Sequence, residues 1–254
     1  MGNIYAIRGA FIAQWKMMLY GASYLTFLGT LPSVIAIAWI ARASGSSALI
    51  VHVTLVAFLV VAWNHCVARV GYTLRGEMWD GTIDACLLSR TPLILAIFGK
   101  VLGYVALSPI LGIIGVITVL MVTQQTIMVT SPVQLLISAG LAIVAITAAA
   151  FFSTPFMVLI GLQSGDAYYD VVRNLIMIFS GVVYPIAAMP SVFQPVARAL
   201  PISWAVDGLL GSVQGQASAA NLYQAWALTL ALSAFYLGVT HLLFRWAETK
   251  VRAG

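Results

Sequence analysis

Acid–base or nucleophilic catalysis needs a nucleophile beside a base, or two acids held at one depth of the fold. In the apolar part of this chain only His65, with its neighbours Asn64 and Cys66, comes near that requirement, and no acidic residue shares its hydrophobic run. No G-x-x-x-x-G-K-[ST] stretch occurs, so the loop and lysine that cradle nucleotide phosphates are missing. His52, His65 and His241 lie far apart in sequence and form no cluster with metal-ligand spacing. No catalytic residue and no metal ligand is assigned. Charge gathers instead in RGEMWDGTIDACLLSRTPL, residues 75–93. Three of the seven acidic residues, Glu77, Asp80 and Asp84, fall there, ringed by Arg69, Arg75, Arg90 and Lys100. Their spacing of three and four lets the carboxylates share one face of a short helix. Leu87 and Leu88 can anchor that helix to the membrane or to a partner. A helix so short is marginal alone and needs a surface to pack on.

The elements around these residues are set by composition. The chain is 62% hydrophobic and 7% charged, against roughly 25% charged residues in a soluble domain. A water-soluble class is excluded, and the bilayer is the solvent. Backbone polar groups in hydrocarbon must pair internally, so spans are helices or closed barrels. The apolar runs are long and lack period-two alternation, which selects helices. Met1 to Leu19 does not read as a cleaved signal, because Arg8, Gln14 and Lys16 interrupt it. Cys66 and Cys86 are too few for a disulfide framework.

Spans are expected at about 23–42, 47–70, 95–122, 133–162, 170–188 and 222–245. Before them, Ile4, Ile7, Phe11, Trp15 and Met18 recur at helical spacing, and residues 1–20 read as an amphipathic helix in the membrane interface. One side of this arrangement collects Arg8, Lys16, Arg69, Arg75, Arg90, Lys100, Arg173, Arg245, Lys250 and Arg252. The other has only Arg42 and Arg198. Ten against two predicts cytosolic termini and a cytosolic 71–92 loop. The net charge of +5 is therefore a topology signal and calls for no nucleic acid.

The order Glu77, Gly81-Thr82-Ile83-Asp84, Leu87-Leu88, Thr91-Pro92 resembles the cytosolic loop of ABC-2 type transporter permeases. A second stretch, Phe179-Ser180-Gly181-Val182-Val183-Tyr184-Pro185, Met189-Pro190, Leu200-Pro201 and Val206-Asp207, resembles their fifth span and external re-entrant helices. The resemblance covers nearly the whole chain. It implies one transmembrane domain over 1–254 with the type V exporter fold. That fold is all-α and integral to the membrane: six transmembrane helices, an N-terminal interfacial helix (1–20), a coupling loop (71–92), and a re-entrant external hairpin between helices 5 and 6, within 188–220. Glu77, Asp80, Gly81, Thr82, Asp84, Leu87 and Leu88 would couple to an ATPase. Pro185, Pro190, Pro201 and Asp207 would belong to an external gate. The chain departs from the family at two places. The interval from Thr82 to Pro92 is slightly long. Gly208-Leu209-Leu210 also follows Asp207 where many members carry an Arg, which puts the family's external ion pair in doubt.

The resemblance implies an exporter permease whose ATP and Mg sit on a separate ATP-binding cassette subunit, with a second permease copy or a related chain completing the pathway. A bacterial-type plasma or inner membrane location follows from it. This chain needs no cofactor of its own. Substrate classes left open are drug-like amphiphiles, lipids, peptides and glycans. In the family the first, second and fifth spans line the route. Mildly polar positions there are Ser23, Thr26, Thr30 and Ser33 in the first; Thr54, Asn64 and His65 in the second; and Asn174, Ser180 and Tyr184 in the fifth. Each Ser or Thr can instead bond its own helix carbonyl, and His65 can be a packed histidine. The rival classes are a secondary carrier or channel and an intramembrane enzyme. The first usually carries a charge in the membrane core, and the second needs the grouping that is missing here.

Overall fold

A computed structural model describes residues 2–20, 23–79, 93–127, 129, 131–160, 171, 174–214 and 219–253. Eight α-helices follow in order: α1 (Gly2–Tyr20), α2 (Ser23–Ala43), α3 (Ser47–Trp79), α4 (Leu93–Thr123), α5 (Pro132–Ile160), α6 (Gln194–Ala199), α7 (Pro201–Gln214) and α8 (Ala219–Ala253). Residues 174–179 are also helical, and a 3₁₀ turn covers Ile186–Ala188. No strand occurs among the described residues. The chain is an all-α protein of membrane type. Among the described residues, four helices are long and apolar enough to cross a bilayer, over Ser47–Val67, Phe98–Thr123, Pro132–Pro155 and Asn221–Trp246.

The outer surface carries the same message. Trp39 and Ile40 on α2, Ile110, Ile113, Ile117 and Met121 on α4, Leu136 on α5, and Phe235 and Leu242 on α8 all point outward. Apolar exposure on this scale marks a surface meant for lipid or protein rather than water. At the centre stands α3. In its apolar stretch 72% of residues are buried, against 28% in α4 and 22% in α8. It packs against α2, α4, α5 and α7.

Glycine sets the close approaches on α4. A Cβ at Gly112 would stand 2.6 Å from the Phe58 ring, and one at Gly115 would stand 2.7 Å from Val61 Cγ2 and 3.1 Å from the Ala57 carbonyl. The opposite end of α4 takes α1 in the same way. A Cβ at Gly99 would meet the Ile7 carbonyl at 2.7 Å and Ala10 Cβ at 2.8 Å. Small residues matter here because lipid tails are as apolar as the side chains, so dispersion at short range holds the helices together.

Two helices run on beyond their apolar spans. The apolar stretch of α3 ends at Val67, near the expected 70, but the helix continues to Trp79. Its 33 residues extend ~50 Å, well beyond the ~30 Å hydrocarbon layer, and Arg75 and Glu77 belong to its last turns. Gly71 and Gly76 lie within this helix and do not end it. Likewise α8 continues past 245 to Ala253. Finally, α1 meets α4 through one member of its apolar spacing, Ile7, together with Ala10 and Gln14. Ile4 is 72% exposed, while Gln14 is buried and donates from Nε2 to Tyr104 Oη at 2.8 Å. Ile7, Ala10 and Gln14 make the contact because Gly99 and Gly103 leave room for them.

Gly99→Ala should loosen α1 from α4, because backbone rather than a flexible side chain blocks the new methyl. A loss of about 1–3 kcal/mol is expected, read from reversible SDS unfolding in mixed micelles. Gly140→Ala, with nothing within 4 Å of the added carbon, should change stability by no more than about 1 kcal/mol.

Candidate functional site

The segment after residue 174 is built around a helix that stops. Its last regular bond runs from Ser180 N–H to the Ile176 carbonyl. Gly181 then takes φ +78°, a left-handed conformation that glycine adopts without steric penalty and that commonly ends helices. A Cβ there would also stand 2.8 Å from Ile186 Cγ1. The expected span to 188 is therefore cut short, and Pro185 is not the residue that interrupts the ladder. Pro185 instead precedes the 3₁₀ turn Ile186–Ala188, whose Ala188 N–H reaches its carbonyl at 2.9 Å.

Beyond the break lies a small core of its own. Ile186, Met189 and Ala197 are buried together, with Tyr184 packed against them. Gln194 Nε2 donates to the Met189 carbonyl at 3.0 Å, and the rings of Phe179 and Phe193 lie 5.3 Å apart. Pro190 sits in the turn before α6, and Pro201 opens α7, where its missing N–H costs no helical bond. The six residues of α6 and fourteen of α7 extend only ~9 and ~21 Å. Neither crosses a ~30 Å layer.

Asp207 has a basic partner after all. Arg198 Nη1 pairs with Asp207 Oδ2, and the guanidinium lies 4.6 Å above the Trp204 ring. Trp204 Nε1 in turn donates to the Arg198 carbonyl at 2.9 Å. The arginine comes nine residues before the aspartate, not after it, so the family spacing does not reveal it. Arg42, the other basic residue of the minority side, is also engaged. It donates to the Val122 carbonyl at 2.7 Å, where α4 ends. A cation at a helix C-terminus meets carbonyls without intrahelical partners.

A second node ties α5, α7 and α8 together. Trp226 Nε1 donates to Ser138 Oγ at 2.9 Å, and Ser138 Oγ donates to the Gly208 carbonyl at 3.0 Å. Ser138 is 1% exposed. Ser138 is not legible in the sequence, since neither spacing nor type marks a lone serine in an apolar run.

The expected pathway residues differ in burial and in what their side chains bond. Thr54 is fully buried and donates to the Ile50 carbonyl at 2.7 Å, and Ser180 donates to the Met177 carbonyl at 2.9 Å. Both hydroxyls are occupied by their own chain. Ser33 is exposed, Thr30 and Asn64 are half-buried, and the side chain of Thr26 lies outside the described residues. His65 is buried edge-on to Tyr104 of α4, with ring centroids 5.9 Å apart. Phe58, Val61 and His65 do lie toward one neighbour, but that neighbour is α4, whose glycines draw it in. Of the coupling residues, Asp80, Gly81, Thr82, Asp84, Leu87 and Leu88 lie outside the described residues. Glu77 is placed by its helical backbone alone.

α2, α3 and residues 177–183 bound a cavity of about 30 Å³, lined by Val34 and Ile37 of α2, His52 and Val56 of α3, and Met177 and Val183 of the interrupted segment. His52 is 6% exposed, and its Nε2 has no hydrogen-bond partner. It lies thirteen residues, or ~20 Å along the helix, from His65. No family model and no curated protein sequence matches the chain.

Ser138→Ala strands the indole N–H of Trp226 in a buried position and should cost about 1–3 kcal/mol. Asp207→Asn breaks an ion pair whose side chains are 37–39% exposed and should cost under about 1 kcal/mol. Both can be measured by SDS unfolding. A larger loss for Asp207→Asn would show that the ion pair, not the Ser138 node, fixes α7.

Proposed function

We propose that this chain is the membrane subunit of an ATP-binding cassette exporter of the ABC-2 type, forming half of a pathway driven by a separate ATPase. The observation that carries the reading is the pair of ordered sequence patterns, Glu77 to Pro92 and Phe179 to Asp207. The helix stop at Ser180–Gly181, followed by short helices and an Arg198–Asp207 pair, is what such a subunit needs between its fifth and sixth spans. In this reading α2, α3, α4, α5, the segment ending at 179, and α8 are the six spans. The pieces from 186 to 214 form the re-entrant external hairpin, and α1 rests at the cytosolic interface. Both ends of the chain then face the cytosol of a bacterial-type cell. The two external arginines are held by Val122, Asp207 and Trp204, so they do not argue against the ten-to-two charge bias.

The cytosolic extension of α3 gives the coupling role a mechanical basis. A helix continuous from Ser47 to Trp79 joins the buried axis of the bundle to the acidic stretch that begins at Glu77. Force applied by an ATPase at that stretch is delivered to α3, and through it to α2, α4, α5 and α7. Substrate would be exported with a second subunit completing the route.

The test is co-purification and ATPase assay with the cognate ATPase subunit in lipid nanodiscs. Glu77→Ala and Asp84→Ala should weaken subunit binding or uncouple hydrolysis by about 1–3 kcal/mol, since truncation leaves partner charges only partly unpaired. Gly81→Val should do more harm than Thr82→Ser. Tyr184 substitutions should leave assembly intact and alter the substrate range. Normal assembly and coupling in Glu77→Ala/Asp84→Ala would reduce those carboxylates to topology signals.

A further inference from the structure

We propose that the cavity at His52 binds the hydroxyl group of a neutral amphiphile that enters from the apolar outer surface between α2 and residues 182–183. The inference concerns binding alone and does not depend on the transporter reading. Its first ground is the imidazole. His52 is buried, it lines the cavity, and its Nε2 is left without a partner. Buried polar atoms are nearly always paired, so one that is not calls for a ligand or water. Its second ground is the wall. Apart from His52, every lining residue is Val, Ile, Ala or Met, and none is charged. Neighbouring hydroxyls cannot help, because Thr54 and Ser180 spend theirs on their own helix carbonyls.

A single water fits the volume, since one needs only ~10–15 Å³, but buried waters typically make about three hydrogen bonds. Here the only side chain offering one is His52. An alcohol is better matched. Its hydroxyl both donates and accepts, so it pairs with Nε2 in either imidazole tautomer. Its first carbons then rest on Val34, Val53 and Val56. The cavity takes only the end of such a molecule, and the remainder must leave through the mouth. Ile37 and Val183, 38% and 47% exposed, form that mouth, so the chain emerges onto an apolar surface rather than into water. The absence of charge in the lining disfavours an ionised headgroup, which would lose its hydration without gaining a partner.

The experiment uses the full chain in phosphatidylcholine nanodiscs with ring-¹⁵N-labelled histidine, titrated with 1-octanol and, separately, with n-octane. Octanol should shift the His52 ring nitrogens saturably, and octane should not. The His65 and His241 signals should stay in place and report an intact fold. Val56→Trp fills the cavity and should abolish the response while keeping the imidazole. His52→Phe should weaken octanol binding about three- to tenfold, the worth of one hydrogen bond, measured by competition against a ¹³C-labelled octanol signal. His52→Gln should restore most of it. The proposal is overturned if octanol leaves His52 unmoved, if octane moves it equally, or if the response survives Val56→Trp.

Discussion

A polar group inside hydrocarbon has no water to fall back on, and that constraint orders this molecule more than any single contact. Backbone groups answer it by forming helices. Side chains answer it by bonding the nearest carbonyl. Thr54, Thr123, Ser153, Thr154, Ser180, Ser212, Thr229 and Thr240 all donate to a carbonyl three or four residues back. These hydroxyls are thereby neutralised as recognition elements. Other polar atoms reach across helices and mark joints between them. Gln14 joins α1 to α4, Ser138 and Trp226 join α5, α7 and α8, and Arg42 closes the end of α4.

The same medium removes the usual drive for helices to associate, because a side chain gains little by leaving lipid for another side chain. Contact must come from shape. On α4 the glycines perform that task twice, with Gly112 and Gly115 toward α3 and Gly99 and Gly103 toward α1. The result is a bundle with α3 at its axis and apolar faces outward. α3 is enclosed on several sides and continues as one helix to Trp79.

Much of the fold was legible because it follows from long apolar runs. Five of the six expected spans coincide with helices α2, α3, α4, α5 and α8, apart from their ends. The apolar stretches of α3 and α8 end close to where they were expected, but both helices continue past them, because Arg75 and Glu77 are compatible with helix and Gly71 and Gly76 do not break it. The fifth segment, expected to reach 188 with Pro185 in an external gate, stops sooner. The glycine at 181 acts first, since a left-handed residue ends the ladder before the missing proline N–H can matter. The site was less legible. Polarity alone nominated Thr54, Ser180 and His65, yet polarity does not say whether a group is already satisfied. His65 faces a neighbour drawn close by glycine. His52, which lines the cavity beside α2, was indistinguishable from it in sequence. The Arg198–Asp207 pair escaped because it links two short helices across a proline, a geometry that no fixed spacing encodes.

The central claim is that α3 is an enclosed axis while α4 shows lipid one face only. Nitroxide labels placed singly along 50–66 and 108–122 in a reconstituted bilayer, read for oxygen accessibility, measure this directly. The account predicts uniformly low accessibility along α3. Along α4 it predicts a helical period with maxima at Ile110, Ile113, Ile117 and Met121. A comparable periodic signal along α3 would contradict it.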